Sequence, residues 1–177
     1  NSGISGRNMF GLTGLSATPL PGGKPLRVKA LAGIDPWTSG LQDDVVYGPR
    51  ASVSPWFGCV DGGSEVLGYI EGKRVPGLVA RRFDGWNSVY SVAPGLPAPL
   101  LASLMETAGV HRYTDAGVRL AVGHGLLAIM SEATGSVSVR LPEKTRVRHL
   151  TDAGWAELGV QPAVDEGQVL VLSLQSE

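Results

Sequence analysis

Several features that would narrow the function of this chain are scarce or absent in its sequence. Cys59 is the single cysteine among 177 residues, which excludes an intramolecular disulfide and a zinc site built from cysteines. Charge of one sign is not in excess either, since 15 Lys and Arg face 16 Asp and Glu and leave a net charge of -1. A chain without a net positive field does not hold a polyanion by counterion release, so we expect no nucleic-acid partner.

Long hydrophobic runs are also missing. The longest runs, such as 126–130 and 169–172, are far shorter than the roughly 20 residues of a membrane-spanning helix, so we expect no membrane partner. The first residue is Asn1 rather than methionine, and no basic start followed by an apolar stretch marks a secretory signal. We therefore expect a segment of a longer protein whose N-terminus is missing, with its compartment left open.

Glycine and proline, in contrast, are abundant. The 25 glycines and 12 prolines make up about a fifth of the chain, well above the combined ~12% of an average protein. This proportion predicts many short elements joined by tight turns. The apolar share of 43% and the charged share of 18% are typical of a folded globular protein rather than a disordered one.

The first half of the chain alternates short strand patterns with turns. Apolar and polar residues alternate over 26–30, and short strands are predicted at 65–70 and 78–83. Residues 71–74 between the last two are interpreted as a hairpin connection. Asp84 and Gly85 predict a further turn before a strand at 88–92.

A helix is predicted over residues 97–108, where apolar side chains recur with helical spacing as one buried stripe. The members of this stripe are Leu100, Leu101, Leu104, Met105 and Ala108. Another strand is predicted at 110–113. Because a strand, a helix and a second strand in this order build a parallel sheet, residues 1–114 are predicted to form an α/β domain.

The second half lacks any helical pattern. Short β-like runs occur at spacings of roughly ten residues, at 118–122, 126–130, 137–141, 145–150 and 168–174. Glycines and a proline separate these runs, which favours an antiparallel arrangement with tight turns. We expect a small β-sandwich over residues 115–177, with the domain boundary near 114–117.

Few residues are candidates for chemistry. Cys59 would need a neighbouring base or positive field to act as a nucleophile, but it lies in an apolar strand pattern that favours a buried small side chain. The three histidines, His111, His124 and His149, lack the spacing of a helical metal pair. We expect no metal and no cofactor.

A pair of carboxylates is another candidate for chemistry, because acid/base hydrolysis of a glycoside uses two of them across a cleft. The candidates are Asp61 with Glu65, Asp43 with Asp44, and Asp84. They all lie in turns rich in glycine, where aspartate bonds to the local backbone. We therefore expect no catalytic residue in this chain.

Tryptophans offer a surface for carbohydrate, because an aromatic ring matches the apolar C–H face of a pyranose. Trp86 is the best placed of the four, at a turn and followed by Asn87, and Trp155 is the second candidate. Large aromatic residues near turns more often close the edge of a core. Trp86, Asn87 and Trp155 are the carbohydrate-binding residues that the sequence predicts.

Several stretches of the chain resemble the C-terminal region of large bacterial β-galactosidase-like glycoside hydrolases. They are the segment RFDGWNSVY at 82–90, the pattern from Pro94 to Tyr113, and the strand patterns at 124–129 and 135–142. The resemblance covers roughly residues 53–151. It implies a partial flavodoxin-like, class I amidotransferase-like parallel sheet, known in that family as the trimerisation domain, followed by a small β-sandwich. The family's catalytic carboxylates belong to a barrel that this sequence does not contain.

The leading hypothesis is therefore a non-catalytic C-terminal segment of a β-galactosidase-like protein. Its partners would be the catalytic barrel of the parent chain or other subunits. An alternative is a carbohydrate-binding module that uses Trp86 or Trp155. A third hypothesis is a small cysteine hydrolase that uses Cys59.

Overall fold

The computed structural model describes residues 5–20, 22, 24–52, 54–59, 62–114, 118–132, 137–143, 145–151, 153–157 and 163–176. The chain divides into two compact units, Asn1–Val110 and His111–Glu177. Strands account for 46% of the structure and helices for 12%. Within the described ranges, no helix is long and apolar enough to cross a membrane.

The first unit is built around one five-stranded antiparallel sheet. Its elements, in chain order, are α1 (Gly6–Thr13), β1 (Ala17–Leu20), β2 (Val28–Ala30), β3 (Val45–Tyr47), β4 (Trp56–Cys59), β5 (Glu65–Ile70), β6 (Pro76–Phe83), β7 (Trp86–Ser91) and α2 (Ala98–Thr107). The sheet has the order β3-β2-β5-β6-β7, and its neighbouring strands are antiparallel. Strands β1 and β4 form a separate antiparallel pair.

This sheet is covered on both faces. Leu78 and Val79 are adjacent on β6 and both are buried, although successive residues of a strand point to opposite faces. Leu78 belongs to a large apolar cluster with Trp37 and Leu100 of α2, whereas Val79 packs with Leu15 in a smaller one. Full burial of a leucine side chain contributes about 1.5–3 kcal/mol, so both clusters hold the unit together.

At Gly68, strand β5 has a β-bulge in its pairing with β6 and also lies very close to β2. The register between β5 and β6 shifts on both sides of Gly68. A Cβ atom on Gly68 would lie 2.6 Å from the backbone oxygen of Lys29, so only glycine permits this approach. In the regular pairing of β5 with β2, Tyr69 lies directly opposite Lys29.

The predicted α/β domain with a partial flavodoxin-like parallel sheet is wrong. The predicted helix exists as α2, but β7 before it pairs antiparallel with β6, and residues 110–113 after it form no strand. The backbone oxygen of Tyr113 instead accepts a hydrogen bond from the amide of Arg140 at 2.7 Å, and the Tyr113 ring packs on the core of the second unit. Without a strand on its far side, α2 cannot be the crossover of a parallel sheet.

The helical stripe is also narrower than predicted. Leu100 is fully buried and Leu104 is partly buried, but Leu101 and Met105 are exposed. One side of α2 therefore packs on the sheet, and an apolar ridge of two side chains one turn apart stays at the surface.

The second unit is an antiparallel β-sandwich, as the sequence predicts. Its elements are β8 (Val118–Gly123), β9 (Leu126–Ser131), β10 (Val137–Ser138), β11 (Thr145–Thr151), β12 (Gly154–Glu157), β13 (Ala163–Val164) and β14 (Val169–Ser176). Five strands form a sheet of order β12-β11-β14-β9-β8, and β10 pairs with β13. The core between them contains Leu127, Ile129 and Leu172 from the sheet, and Val139 and Val164 from the other layer.

Candidate functional site

Trp86 lies at the turn between β6 and β7, where Gly85 has a φ of 78°. The indole is stacked on Phe83, with ring centroids 4.3 Å apart and an angle of 9° between the planes. The guanidinium carbon of Arg81 lies 5.0 Å from the centre of the Phe83 ring. Trp86 is 48% exposed, so Phe83 covers one face of the indole and part of the ring remains accessible.

The partner ring has a structural role of its own. Gly14 ends α1 with a φ of +67°, and a Cβ atom there would lie 2.6 Å from Cζ of Phe83. Phe83 thus packs against the end of α1 while Trp86 covers it. Asn87 is exposed and pairs with Arg82 in the ladder. The stack closes the edge of the first unit, and a ligand could reach only the outer side of Trp86.

Trp155 belongs to β12 in the second unit, where it lies opposite Leu150. Its backbone oxygen accepts a hydrogen bond from Nη2 of Arg148 at 3.2 Å. Both Trp155 and Leu150 are exposed. In the described part of the chain, neither Trp86 nor Trp155 lines any of three surface clefts.

The second sheet has an apolar outer face, on the side away from its core. Leu127 and Ile129 on β9 point into the core, so Leu126 and Met130 on the same strand point outward, and both are exposed. Val169 lies opposite Met130, and the strand register continues this face across β14 to β11 and β12. The outer apolar face consists of Leu126, Met130, Leu150, Trp155 and Val169.

Cys59 is a core residue. Its side chain is buried with Leu15 and Val79. Nearby, the hydroxyl of Tyr90 donates a hydrogen bond to the backbone oxygen of Phe57 at 2.8 Å. Burial, and to a lesser extent charge on Cys59, raises the pKa of Tyr90 to about 12. These surroundings are typical of a packed thiol rather than of a nucleophile at the mouth of a cleft.

The carboxylates support the local structure. Glu65 accepts a hydrogen bond from Nε1 of the buried Trp37 at 3.0 Å. Asp44 accepts one from the backbone amide of Ala32 at 2.9 Å and pairs with Nζ of Lys29 at 2.9 Å. The Ala32 amide, followed by Lys29, lowers the pKa of Asp44. Asp61 lies outside the described residues.

The three histidines belong to the second unit. Nε2 of His111 lies 3.1 Å from the backbone oxygen of Arg140. His124 occupies the turn between β8 and β9 with a φ of 50°, and His149 lies on β11. Among the residues with described positions, no three His, Cys, Asp or Glu side chains lie close enough to hold a metal ion.

The structure has a basic cleft at the turn between β5 and β6 that the sequence pattern does not predict. It has a volume of about 640 Å³, and its lining includes Lys29, Tyr69, Lys73 and Arg74. The adjacent cations at 73 and 74 are a signal in the sequence, but their place between two predicted strands indicates only a hairpin connection. Lys29 joins them through the pairing of β2 with β5, which is distant in sequence and leaves no local pattern.

The fold of this chain is one that occurs within a bacterial β-galactosidase. The matching structure is the β-galactosidase from Bacillus circulans sp. alkalophilus, at 20% sequence identity and a TM-score of 0.61. The match covers 97% of this chain and 26% of that chain, so the present chain spans about a quarter of the length of the enzyme. No protein-family model matches the sequence, and no curated protein matches it either.

At this level of identity the likeness establishes the fold. The predicted β-galactosidase-like relationship is confirmed to that extent. The antiparallel sheets overturn the amidotransferase-like part of the resemblance.

Proposed function

We propose that this chain is a non-catalytic, C-terminal segment of a glycoside-hydrolase-like protein, where it supports structure and the association of domains or subunits. The observation that carries the proposal is the match of nearly the whole chain to about a quarter of a β-galactosidase. Since one fold can serve many functions, the role has to be argued from the surfaces and side chains of this chain as well.

The apolar surfaces support a role in association. The outer apolar face presents five large side chains on one sheet of the second unit. Large exposed apolar side chains on one face are typical of protein interfaces. In the first unit, Leu101 and Met105 add the exposed ridge of α2. Removing each of these apolar surfaces from water would lower the free energy of the protein.

The reactive side chains support the absence of a catalytic role. Glu65 and Asp44 are engaged with an indole N–H, a backbone amide and Lys29. Cys59 is packed among apolar residues. These three side chains therefore stabilise the first unit in the positions that they occupy.

The experiment measures self-association and hydrolysis with the purified chain. Sedimentation velocity over a wide concentration range should show reversible association through the outer apolar face. The double substitution Met130→Gln with Val169→Thr should weaken it roughly tenfold, equivalent to about 1.4 kcal/mol. Leu12→Gln is the matched control, because Leu12 is 83% exposed on α1 and lies outside both surfaces. A chromogenic β-galactoside should not be hydrolysed.

Two results would contradict the proposal. One is a chain that stays monomeric at every concentration, because the apolar surfaces would then have no role in association. The other is hydrolysis of the galactoside that disappears on a single carboxylate substitution such as Glu65→Gln.

A further inference from the structure

The basic cleft adjoins a second, smaller cleft of about 270 Å³, and the two share Ile70, Glu71 and Lys73. Lys24 and Trp56 belong to the lining of the smaller one. Among the residues that the structure describes, four cations and one carboxylate therefore line this region. The cations are Lys24, Lys29, Lys73 and Arg74, and the carboxylate is Glu71.

The lining carboxylate Glu71 already has a cationic partner, and the lining cation Lys29 is already paired with Asp44. Glu71 lies 3.5 Å from Nε of Arg27, and Asp44 lies 2.9 Å from Nζ of Lys29. In the ranges that the structure describes, Lys24, Lys73 and Arg74 have no carboxylate within ion-pair distance. The whole chain carries a net charge of -1, so this positive charge is a local excess. Within a cleft such charge raises the local concentration of anions.

The turn that bears the cations is held in place by the backbone. The amide of Glu71 donates to the backbone oxygen of Arg27 at 2.9 Å, which fastens the turn to the chain leading into β2. The amide of Lys73 donates to Ile70 at 2.9 Å. Nζ of Lys73 lies 4.8 Å from the centre of the Trp56 ring, a cation–π contact that positions the ammonium group. The backbone of the turn and the Lys73 ammonium group therefore have defined positions before any ligand arrives, which lowers the entropy cost of binding.

An aromatic ring completes the wall of the cleft. Tyr69 is 39% exposed and lies opposite Lys29 in the ladder. An exposed ring beside several cations suits a ligand that has both an apolar face and a negative charge. The volume of about 640 Å³ falls in the range of roughly 300–1,000 Å³ that is typical of small-molecule sites.

We propose that the basic cleft binds an acidic saccharide, a short chain of pyranose units that bear carboxylate groups. Arg74 and Lys73 would bind the carboxylates, and Tyr69 would contact the C–H face of a ring. Three cations without acidic partners are fewer than the polybasic clusters that hold anionic membranes or the many phosphate contacts of nucleic-acid binding. The choice of a saccharide among small anions rests on the proposed glycoside-hydrolase-like function.

Calorimetric titration of the purified chain with trigalacturonate tests this site, and the neutral galactotriose is the matched ligand. We expect trigalacturonate to bind with a Kd below ~1 mM and galactotriose to bind at least tenfold more weakly, since each factor of ten corresponds to about 1.4 kcal/mol. Binding should weaken as salt rises from about 0.05 to 0.5 M, because exposed charges are screened.

Substitutions locate the site. Lys73→Gln and Arg74→Gln should each weaken binding at least fivefold, and Tyr69→Ala should weaken it as well. Arg50→Gln is the matched control, because Arg50 is an exposed cation of the same unit outside both clefts. Trp86→Ala should leave binding unchanged, which separates this cleft from the sugar contact predicted at Trp86. Thermal unfolding checks that every variant is folded.

The proposal fails if trigalacturonate does not bind, if galactotriose binds equally well, or if Lys73→Gln and Arg50→Gln behave alike. It also fails if inorganic phosphate or a single-stranded oligonucleotide binds more tightly than trigalacturonate, because the site would then accept another class of anion. Sedimentation of the Lys73→Gln variant distinguishes this failure from failure of the proposed function, since association through the outer apolar face should persist.

Discussion

The hydroxyl of Ser103 on α2 donates a hydrogen bond to the backbone oxygen of Trp37 at 3.0 Å, and both residues are buried. The oxygen of the Ser103 hydroxyl in turn accepts a hydrogen bond from the amide of Gly40 at 3.3 Å. One small side chain thus satisfies two backbone groups of the loop that carries Trp37. This contact fastens α2, which has no side-chain cap at Pro97, to the first unit.

Substitution of Ser103 by alanine should destabilise the first unit. The loss leaves a buried carbonyl and an amide without their partner, which costs about 1–3 kcal/mol. Urea unfolding followed by tryptophan fluorescence measures this change, because Trp37 lies at the contact. Ser39→Ala, at an exposed serine of the same loop, is the control and should change the free energy of unfolding by less than about 0.5 kcal/mol. Equal effects of the two substitutions would contradict the assigned role.

The stack of Phe83 and Trp86 should contribute to stability. A double-mutant cycle with Phe83→Leu and Trp86→Ala should give a coupling free energy of about 0.5–1.5 kcal/mol, as expected for an aromatic pair. Asn87→Ala, next to the stack but outside it, should have little effect. Additive effects of the pair would show that the stack is not structural. Trp86 would then be a stronger candidate for the predicted carbohydrate contact.

The ion pair of Asp44 and Lys29 should make stability depend on pH in the acidic range. The Ala32 amide and Lys29 lower the pKa of Asp44 in the folded chain relative to the unfolded chain. Its contribution is therefore fully present above the unfolded pKa of about 3.9 and is lost as pH falls through the lower folded pKa. Unfolding measured between about pH 2 and 5 should show this loss.

Asp44→Asn should flatten the acidic part of that profile. Asp43→Asn is the matched control, since Asp43 is the neighbouring exposed carboxylate and should leave the profile as in the parent chain. The assignment to Asp44 is refuted if Asp44→Asn keeps the full acidic loss of stability.

Local sequence patterns predicted the elements that depend on local periodicity. The strand predicted at 65–70 is β5, and the helix predicted at 97–108 contains α2. The short strands β3 and β13 were missed because two or three residues are too few to show alternation. The strand predicted at 110–113 does not form. Tyr113 belongs to the second unit and packs on its core, a contact that no local pattern indicates.

Strand direction and surface sites depend on contacts between distant residues. The sequence pattern of β7 does not indicate that this strand pairs antiparallel with β6. The resemblance favoured a parallel sheet, which is wrong. The basic cleft was missed for the same reason, since Lys29 and Tyr69 meet only after β2 pairs with β5. Trp86, Asn87 and Trp155 could be named from the sequence, but their accessibility could not, because it depends on neighbours such as Phe83.

Strands β5, β6 and β7 form consecutive hairpins. The pairing of β2 with β5, in contrast, can form only after the much later β5 has been synthesised. Contacts between neighbours in sequence form fastest, because little loop entropy is lost. During synthesis, β2 therefore leaves the ribosome with that edge unpaired while most of the sheet has not yet been translated. A pause in translation before β5 would prolong this exposure, and the nascent chain would be most prone to aggregation or chaperone capture at that stage.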